Sequence, residues 1–360
     1  KIERRKKMDK NLKRGPKVVV IGGGTGTSVI LRGLKKYTSN ITAIITVADD
    51  GGSSGKLRED LGMLPPGDIR SCILALADTE PIMEQLLQYR FEEGILKGQN
   101  FGNLFIAAMN EITGNFEEAI RKISDVLKVK GTVLPVSLEN ITLIAELENG
   151  EFVSGESQIP KVALEKKSHI KRVSIHPAKA APLKFALEAI DQADAIILGP
   201  GSLYTSIIPN LLVEGLVGGI CQAKAIKIYI TNIMTQPGET DNYTIMDHIK
   251  AILSHSNETK DPIIDYIITN NGEIPDYLVE KYRMEGASMV ACEGQGPDCP
   301  YKFIIDDFVE IKKHYVRHDA DKLAYSIYQL IAEEKLSKDL KRSVDYNHLK
   351  QLLGKYKESS

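Results

Sequence analysis

The sequence predicts an α/β protein: a mostly parallel sheet with helices on both faces and a small β-hairpin insertion. Two patterns lead there. Short apolar, β-branched runs at residues 18–21 and 41–47 lack polar alternation, as strands covered on both faces do. They alternate with segments of helical period and give way to loops at 22–27, 49–55, 199–206, 231–241 and 270–272 that are rich in glycine, hydroxyls, amides and carboxylates. In a parallel sheet all five loops lie along one edge, the carboxyl edge where such folds bind ligands.

The first loop, Gly22-Gly23-Gly24-Thr25-Gly26-Thr27, precedes a helix expected over 28–37. Strand, glycine turn and helix together turn bare N–H groups and a positive helix end toward a phosphate. Thr27 breaks the G-x-G-x-x-G fingerprint and no G-K-[ST] follows, which argues against an NAD-dependent oxidoreductase and a Walker loop. A tight turn needing glycine for positive φ explains this loop alone equally well. Asp49 and Asp50 follow the second strand. One of them facing the crevice would serve as a ribose acceptor, a Mg2+ ligand or a base, although Asp-Gly is also a good turn.

Pro65-Pro66-Gly67 then sets up Asp68 as N-cap of a helix over 68–78, with Arg70 in its first turn. Helical periods follow at 81–90, 101–111 and 116–127, and Asn103 either reaches the crevice or caps a helix. Alternation over 133–155 around Asn149-Gly150 predicts a hairpin. Residues 161–171 are polar and basic, as an exposed loop would be. Strands are expected at 173–175, 195–198, 226–230 and 264–269, and helices at 183–192, 213–222, 244–254, 319–333 and 340–356. In the loop at 199–206, Gly201 allows close approach, Ser202 caps the next helix, and Thr205 and Ser206 offer hydroxyls. Two anion loops on one edge suit a ligand with two phosphates, or a phosphate and a sugar. His176, His248, His255, His314 and His318 show no ligand spacing, and most of them read as ordinary surface or interface residues.

Residues 1–17 carry a net charge of +7 and the remainder −9, so nucleic acid is not an expected partner. Residues 1–16 read as a basic flexible tail. If Lys1 follows a removed membrane segment, that tail gives peripheral membrane contact. Residues 17–334 read as a single domain with the hairpin and loop insertion at about 131–172, and 335–360 as a helical extension. No apolar run reaches membrane-span length, and the scattered Cys72, Cys221, Cys292 and Cys299 fit a reduced, cytoplasmic setting.

The stretches 22–28, 47–55, 65–70, 199–206, 232–236 and 238–241 resemble, in order, the YvcK-type gluconeogenesis factors, relatives of 2-phospho-L-lactate transferase (CofD). That resemblance implies a Rossmann-like fold binding a nucleotide sugar, with UDP-N-acetylglucosamine the leading choice. It also implies a role in growth on gluconeogenic carbon sources, cell shape and cell-wall synthesis, with cell-wall or regulatory proteins as partners and a homo-oligomeric state. Ligand contacts carry over to Gly23, Gly24, Thr25, Gly26, Thr27, Asp49, Asp50, Asp68, Arg70, Asn103, Gly201, Ser202, Thr205, Ser206, Asn232, Thr235 and Gln236. Tyr282 and Arg317 lie in further family-like segments, where Tyr282 would stack on uracil and Arg317 would pair with a phosphate or acyl oxygen. In the transferase relatives an aspartate at the position of Asp50 holds the metal, which makes Asp50 the candidate catalytic and Mg2+-binding residue. The YvcK-type proteins have no assigned reaction. A binding regulator is therefore the first reading, and a Mg2+-dependent phospholactyl-type transferase the alternative.

Overall fold

The computed structural model describes residues 15–256, 262–293 and 299–338. The expected basic tail (beyond residues 15–16) and the helix at 340–356 lie outside them. The strands are β1 (Val18–Gly22), β2 (Ile41–Ile45), β3 (Thr132–Pro135), β4 (Thr142–Leu147), β5 (Phe152–Ser154), β6 (Ile170–His176), β7 (Ala195–Leu198), β8 (Ile226–Ile230), β9 (Tyr266–Asn270), β10 (Lys302–Asp306), β11 (Val309–Lys312) and β12 (Tyr315–His318). The helices are α1 (Gly24–Leu34), α2 (Gly52–Leu61), α3 (Gly67–Leu76), α4 (Pro81–Gln88), α5 (Phe101–Thr113), α6 (Phe116–Val126), α7 (Ile159–Lys166), α8 (Lys184–Asp191), α9 (Ile208–Leu211), α10 (Leu216–Gln222), α11 (Ile245–His255), α12 (Asp276–Met284) and α13 (Ala320–Lys338).

Seven strands form one sheet in the order β10-β9-β8-β7-β1-β2-β3, and every neighbouring pair is parallel. All residues of β1 and β7 are buried, which accounts for their unbroken apolar character. The chain moves outward from β1 to β3, returns to β7, and then moves outward the other way to β10. This is the doubly wound Rossmann-like order, and the reversal places β1 beside β7. Burying each of these Val, Ile and Leu side chains contributes about 1.5–3 kcal/mol.

Between β3 and β7 lies a separate antiparallel sheet, β5-β4-β6, whose hairpin turns at Asn149-Gly150 with Gly150 at φ 87°. Its buried face carries Leu143, Ala145, Leu147, Val153, Val173 and Ile175. Hydrogen bonds tie the unit to the main sheet's loops. Ser157 N–H donates to Asp50 Oδ1 at 2.9 Å, and Arg58 Nη2 donates to the Ile141 carbonyl at 2.5 Å.

Several elements depart from the sequence expectations. Helix α1 starts at Gly24 rather than at residue 28, so the glycine loop is itself the helix's first turn. The stretch at 49–55, read as a loop, opens α2. Its Gly-Ser-Ser-Gly start has poor helix propensity, and burial of Ser53, Ser54 and Leu57 holds it. Residues 161–171 form α7 and the start of β6 instead of an exposed loop, and β6 pairs with β4 outside the parallel sheet. The expected helix at 213–222 is shortened to α10, because Gly215 at φ 79° stands at its start. Strand β3 takes residues 132–135, the start of the stretch read as a hairpin, into the main sheet, and β10 lengthens that sheet at its other edge with no sequence signal to mark it. Pro66, not Asp68, stands at the N-cap of α3, and Asp68 lies inside its first turn. Among the described residues no single helix is long and apolar enough to cross a membrane.

Helix α1 packs against α3 and α13. A Cβ on Gly33 would collide with the Ala320 carbonyl oxygen, so glycine is what lets α13 seat against α1, beside the stacked Tyr37 and Tyr328 rings (centroids 4.6 Å apart). Gly33→Val is therefore expected to cost about 2–3 kcal/mol in urea unfolding. Gly218→Ala, in α10 where an added Cβ meets open space, is expected to gain roughly 0.5–1 kcal/mol. Equal effects at the two positions would rule out the packing account.

Candidate functional site

The reversal of strand order brings two loops into direct contact. An added Cβ on Gly26 would collide with the Pro200 carbonyl, and one on Gly23 would lie 3.3 Å from Ser206 Cβ. Gly24, at φ 55°, starts α1 with its N–H groups uncapped by any side chain of the helix's own N-terminus. After β7 the chain forms one π-helical turn, Leu203–Ile207, an irregularity frequent at functional positions. Ser202 does not cap this turn. Its Oγ accepts from Gln236 Nε2 at 2.8 Å, while buried Glu239 accepts from Tyr204 N–H (3.2 Å) and from the Thr205 hydroxyl (3.1 Å).

Between the loops opens a cavity of about 470 Å³. Its walls include Gly23, Gly24, Thr25 and Gly26 from the first loop, and Gly201, Ser202, Thr205 and Ser206 from the second. Asn232, Thr235 and Gln236 follow β8, while Asp49, Asp68, Tyr282 and Arg317 complete the set expected from sequence. Four expected residues are elsewhere. Thr27 is buried beneath the loop, its Oγ1 against Gly22. Asp50 turns away to hold the inserted unit through Ser157, so the carboxylate that β2 delivers to the cavity is Asp49. Arg70 and Asn103 are not in the cavity lining, and the Arg70 stem lies against Gly102 at the start of α5.

Thr46, Glu156, Met234 and His318 also line the cavity, and sequence reasoning missed them. Glu156 follows the hairpin, where no local pattern announces a site. His318 had only its place beside Arg317 to mark it. Its Nε2 contacts the Thr231 carbonyl at 3.0 Å, and burial lowers its pKa to about 4, so the ring is neutral at physiological pH. The Tyr282 hydroxyl accepts from Val316 N–H at 3.0 Å, which orients the ring at the cavity edge. Arg317 is exposed, 5.3 Å from the centre of the Tyr315 ring, and forms no ion pair with a carboxylate among the described residues.

The acidic side of the cavity is under electrostatic pressure. Burial first, and then the charge of Asp49, raise Asp68 to about 7 and Glu156 to about 8. Asp68 lies under Gly23 and Gly24, at the positive end of α1, so a ligand phosphate at that end meets a carboxyl group as well as N–H donors. Among the described residues no three Asp, Glu, His or Cys side chains converge to enclose a metal ion unaided. Two carboxylates plus ligand phosphates are nevertheless an ordinary Mg2+ environment, and Asp49 and Asp68 fit it.

The family of 2-phospho-L-lactate transferase CofD matches residues 18–307. A protein named gluconeogenesis factor from Bacillus subtilis is 48% identical over 320 residues, covering 88% of this chain and 99% of that protein. A Clostridium acetobutylicum relative provisionally given the same name is 52% identical over 343 residues, 95% of this chain and 75% of that one. The crystal structure of a UPF0052-family protein from Bacillus halodurans superimposes with a TM-score of 0.82 at 48% identity, covering 86% of this chain and 98% of that chain.

Burial lifts the carboxyl group of Glu239 from 4.5 to about 7. A carboxyl raised on folding binds its proton more tightly in the native state, so its contribution is complete at low pH and is lost between about pH 4.5 and 7. His248, His255 and His318, lowered by burial, act in the opposite sense below about pH 6.5, and they cancel in a comparison of variants. Relative to the parent chain, Glu239→Gln is therefore expected to gain about 2 kcal/mol of unfolding free energy between pH 5 and pH 7.5. A difference independent of pH would remove the buried-carboxyl account.

Proposed function

Because the chain belongs to the CofD (2-phospho-L-lactate transferase) family, we propose that it binds a nucleotide sugar, UDP-N-acetylglucosamine, between its two anion loops. In this reading occupancy of the cavity regulates growth on gluconeogenic carbon sources, the role named in its relatives, together with cell shape and cell-wall synthesis. The observation that supports it is the direct apposition of the loops at Gly26 and Pro200, with Arg317, which has no carboxylate ion pair among the described residues, on the same cavity. Backbone N–H groups at the start of α1, the Ser206 hydroxyl and the Arg317 guanidinium suit a diphosphate, while the Thr205 hydroxyl is held by Glu239. Asn232 and Gln236 offer amides to sugar hydroxyls or to a base edge, and the ring of Tyr282 offers an apolar edge.

Catalysis is the second reading, favoured by Asp49 and Asp68 sharing the cavity with the phosphate-binding groups. These two carboxylates would hold Mg2+, and the ion would neutralise charge on phosphate oxygens. Asp50 would support the site indirectly, by seating the turn that carries Glu156. Among the described residues no nucleophile–His–acid arrangement accompanies them, and binding and regulation therefore come first.

The test is the melting temperature of the full chain with UDP-N-acetylglucosamine, UDP-glucose, GDP and NAD, each with and without Mg2+. A ligand at a hundred times its dissociation constant adds about 2.7 kcal/mol. The expected result is a UDP-N-acetylglucosamine shift that needs at least tenfold more ligand in Arg317→Ala. A GDP-selective shift that requires Mg2+ and disappears in Asp49→Asn would favour the transferase. Silence from all four would overturn the nucleotide reading.

A further inference from the structure

We propose that the outer edge of β10 is a dimer surface, on which a second copy of this chain adds its own β10, antiparallel, about a two-fold axis at Ile304. This goes beyond the reading of the cavity and does not depend on that cavity's ligand.

Strand β10 ends the parallel sheet, and among the described residues it pairs with β9 alone. The bonds at its two ends fix where its peptide groups point. Lys302 N–H donates to the Asp265 carbonyl at 3.2 Å, and the Asp306 carbonyl accepts from Asn271 N–H at 3.0 Å. In a parallel pair alternate residues bond to the same neighbour, so Lys302, Ile304 and Asp306 face β9. The N–H and C=O groups of Phe303 and Ile305 therefore face outward, and none of them has a partner among the described residues. The two edges of the sheet differ. At the other end β3 is buried over its last three residues and finishes in Pro135, whereas β10 contains no proline and exposes Lys302, Ile305 and Asp306. An edge without such a block is a template for another strand.

Hydrogen-bond phase and charge together choose the occupant and its register. A two-fold interface must be complementary to itself. Outward groups at Phe303 and Ile305 meet those of a second copy only where these residues form the hydrogen-bonded pairs of an antiparallel ladder. Phe303 opposite Ile305 of the second copy puts Lys302 opposite Asp306 at both ends and Ile304 opposite itself. Centring the pair on Phe303 would instead set Lys302 against Ile304, and centring it on Ile305 would set Asp306 against Ile304. Opposite charges facing across a strand pair stabilise it, so the register about Ile304 is the one selected. Both charges are available. The Lys302 side chain is 69% exposed, and its Nζ, which donates to the Tyr266 hydroxyl at 2.9 Å and lies 3.5 Å from Glu334, has a third N–H to give. Asp306 accepts from Asp307 N–H at 2.8 Å and has no ion pair among the described residues. Phe303, Ile304 and Ile305 supply the apolar middle of the seam.

The experiment is sedimentation velocity of the full chain over a concentration series, in which the parent is expected to pass from monomer to dimer. Asp306→Lys and Lys302→Asp each set like charges face to face, and each should weaken self-association by at least about tenfold. An equal mixture of the two variants should regain the parent's dimer, because opposite charges then face each other at both ends of the seam. Cross-linking tests the register and serves if a charge variant does not fold. With Cys292→Ser and Cys299→Ser also made, only the buried Cys72 and Cys221 remain as native thiols. Ile304→Cys in that background should give a covalent dimer on oxidation by copper–phenanthroline, since residues opposed in a non-hydrogen-bonded pair lie about 4.5 Å apart at Cα, within disulfide reach. Ile305→Cys should not, because it faces Phe303 of the second copy. The proposal fails if the parent stays monomeric at every concentration, or if the charge variants dimerise as the parent does. It fails equally if Ile305→Cys cross-links in place of Ile304→Cys.

Discussion

The contact between the loops after β1 and β7 is the constraint on which the rest depends. Parallel strands must be joined by crossovers, and where the direction of winding reverses, two neighbouring strands send their chains to opposite sides of the sheet. The gap left at that point has backbone donors on both walls. Here the walls are drawn so close that Gly26 cannot carry a Cβ against Pro200 and Gly23 has little room beside Thr46 and Ser206. Glycine in this loop is therefore required by the close approach of two loops as much as by φ.

A site so placed collects charge of both signs. The donors favour an anion, yet Asp49, Asp68 and Glu156 face the same space, and the charge of Asp49 adds to burial in raising the proton affinity of Asp68 and Glu156. A ligand entering the cavity changes that balance. A cation, a proton or a hydrogen-bond donor relieves the carboxyl groups, while a phosphate uses the helix end and Arg317. A nucleotide sugar, with phosphates at one part and hydroxyl donors at another, can meet both demands.

The antiparallel insertion is part of the site rather than an appendage. Its turn at residues 155–157 is docked by Asp50, and that docking carries Glu156 into the cavity. At the opposite wall a small apolar cluster of Ile233, Met234, Ile274, Leu278, Tyr282, Ala287 and Val316, separate from the main core, positions Tyr282 beside Arg317. The cavity is thus assembled from the central sheet, the insertion and the β11–β12 hairpin (paired over residues 309–318).

The amino-acid sequence by itself determined the class of fold and the edge of the sheet that matters. Short continuous β-branched apolar runs bounded by glycine fit doubly covered strands, and the glycine, hydroxyl and carboxylate residues after them are local, readable signals. Tertiary structure decided what local pattern cannot encode. Of two adjacent aspartates, Asp49 faces the cavity and Asp50 the insertion, because the chain turns at once into α2 and another element supplies the Ser157 N–H. Glu156 and His318 are brought in from distant segments, while Arg70 and Asn103 are left out of the cavity lining. Low-propensity α2 and the β3 and β10 edge strands form because their neighbours bury or pair with them. Those contacts join residues far apart in the chain, and their energies exist only once the fold has brought the partners together.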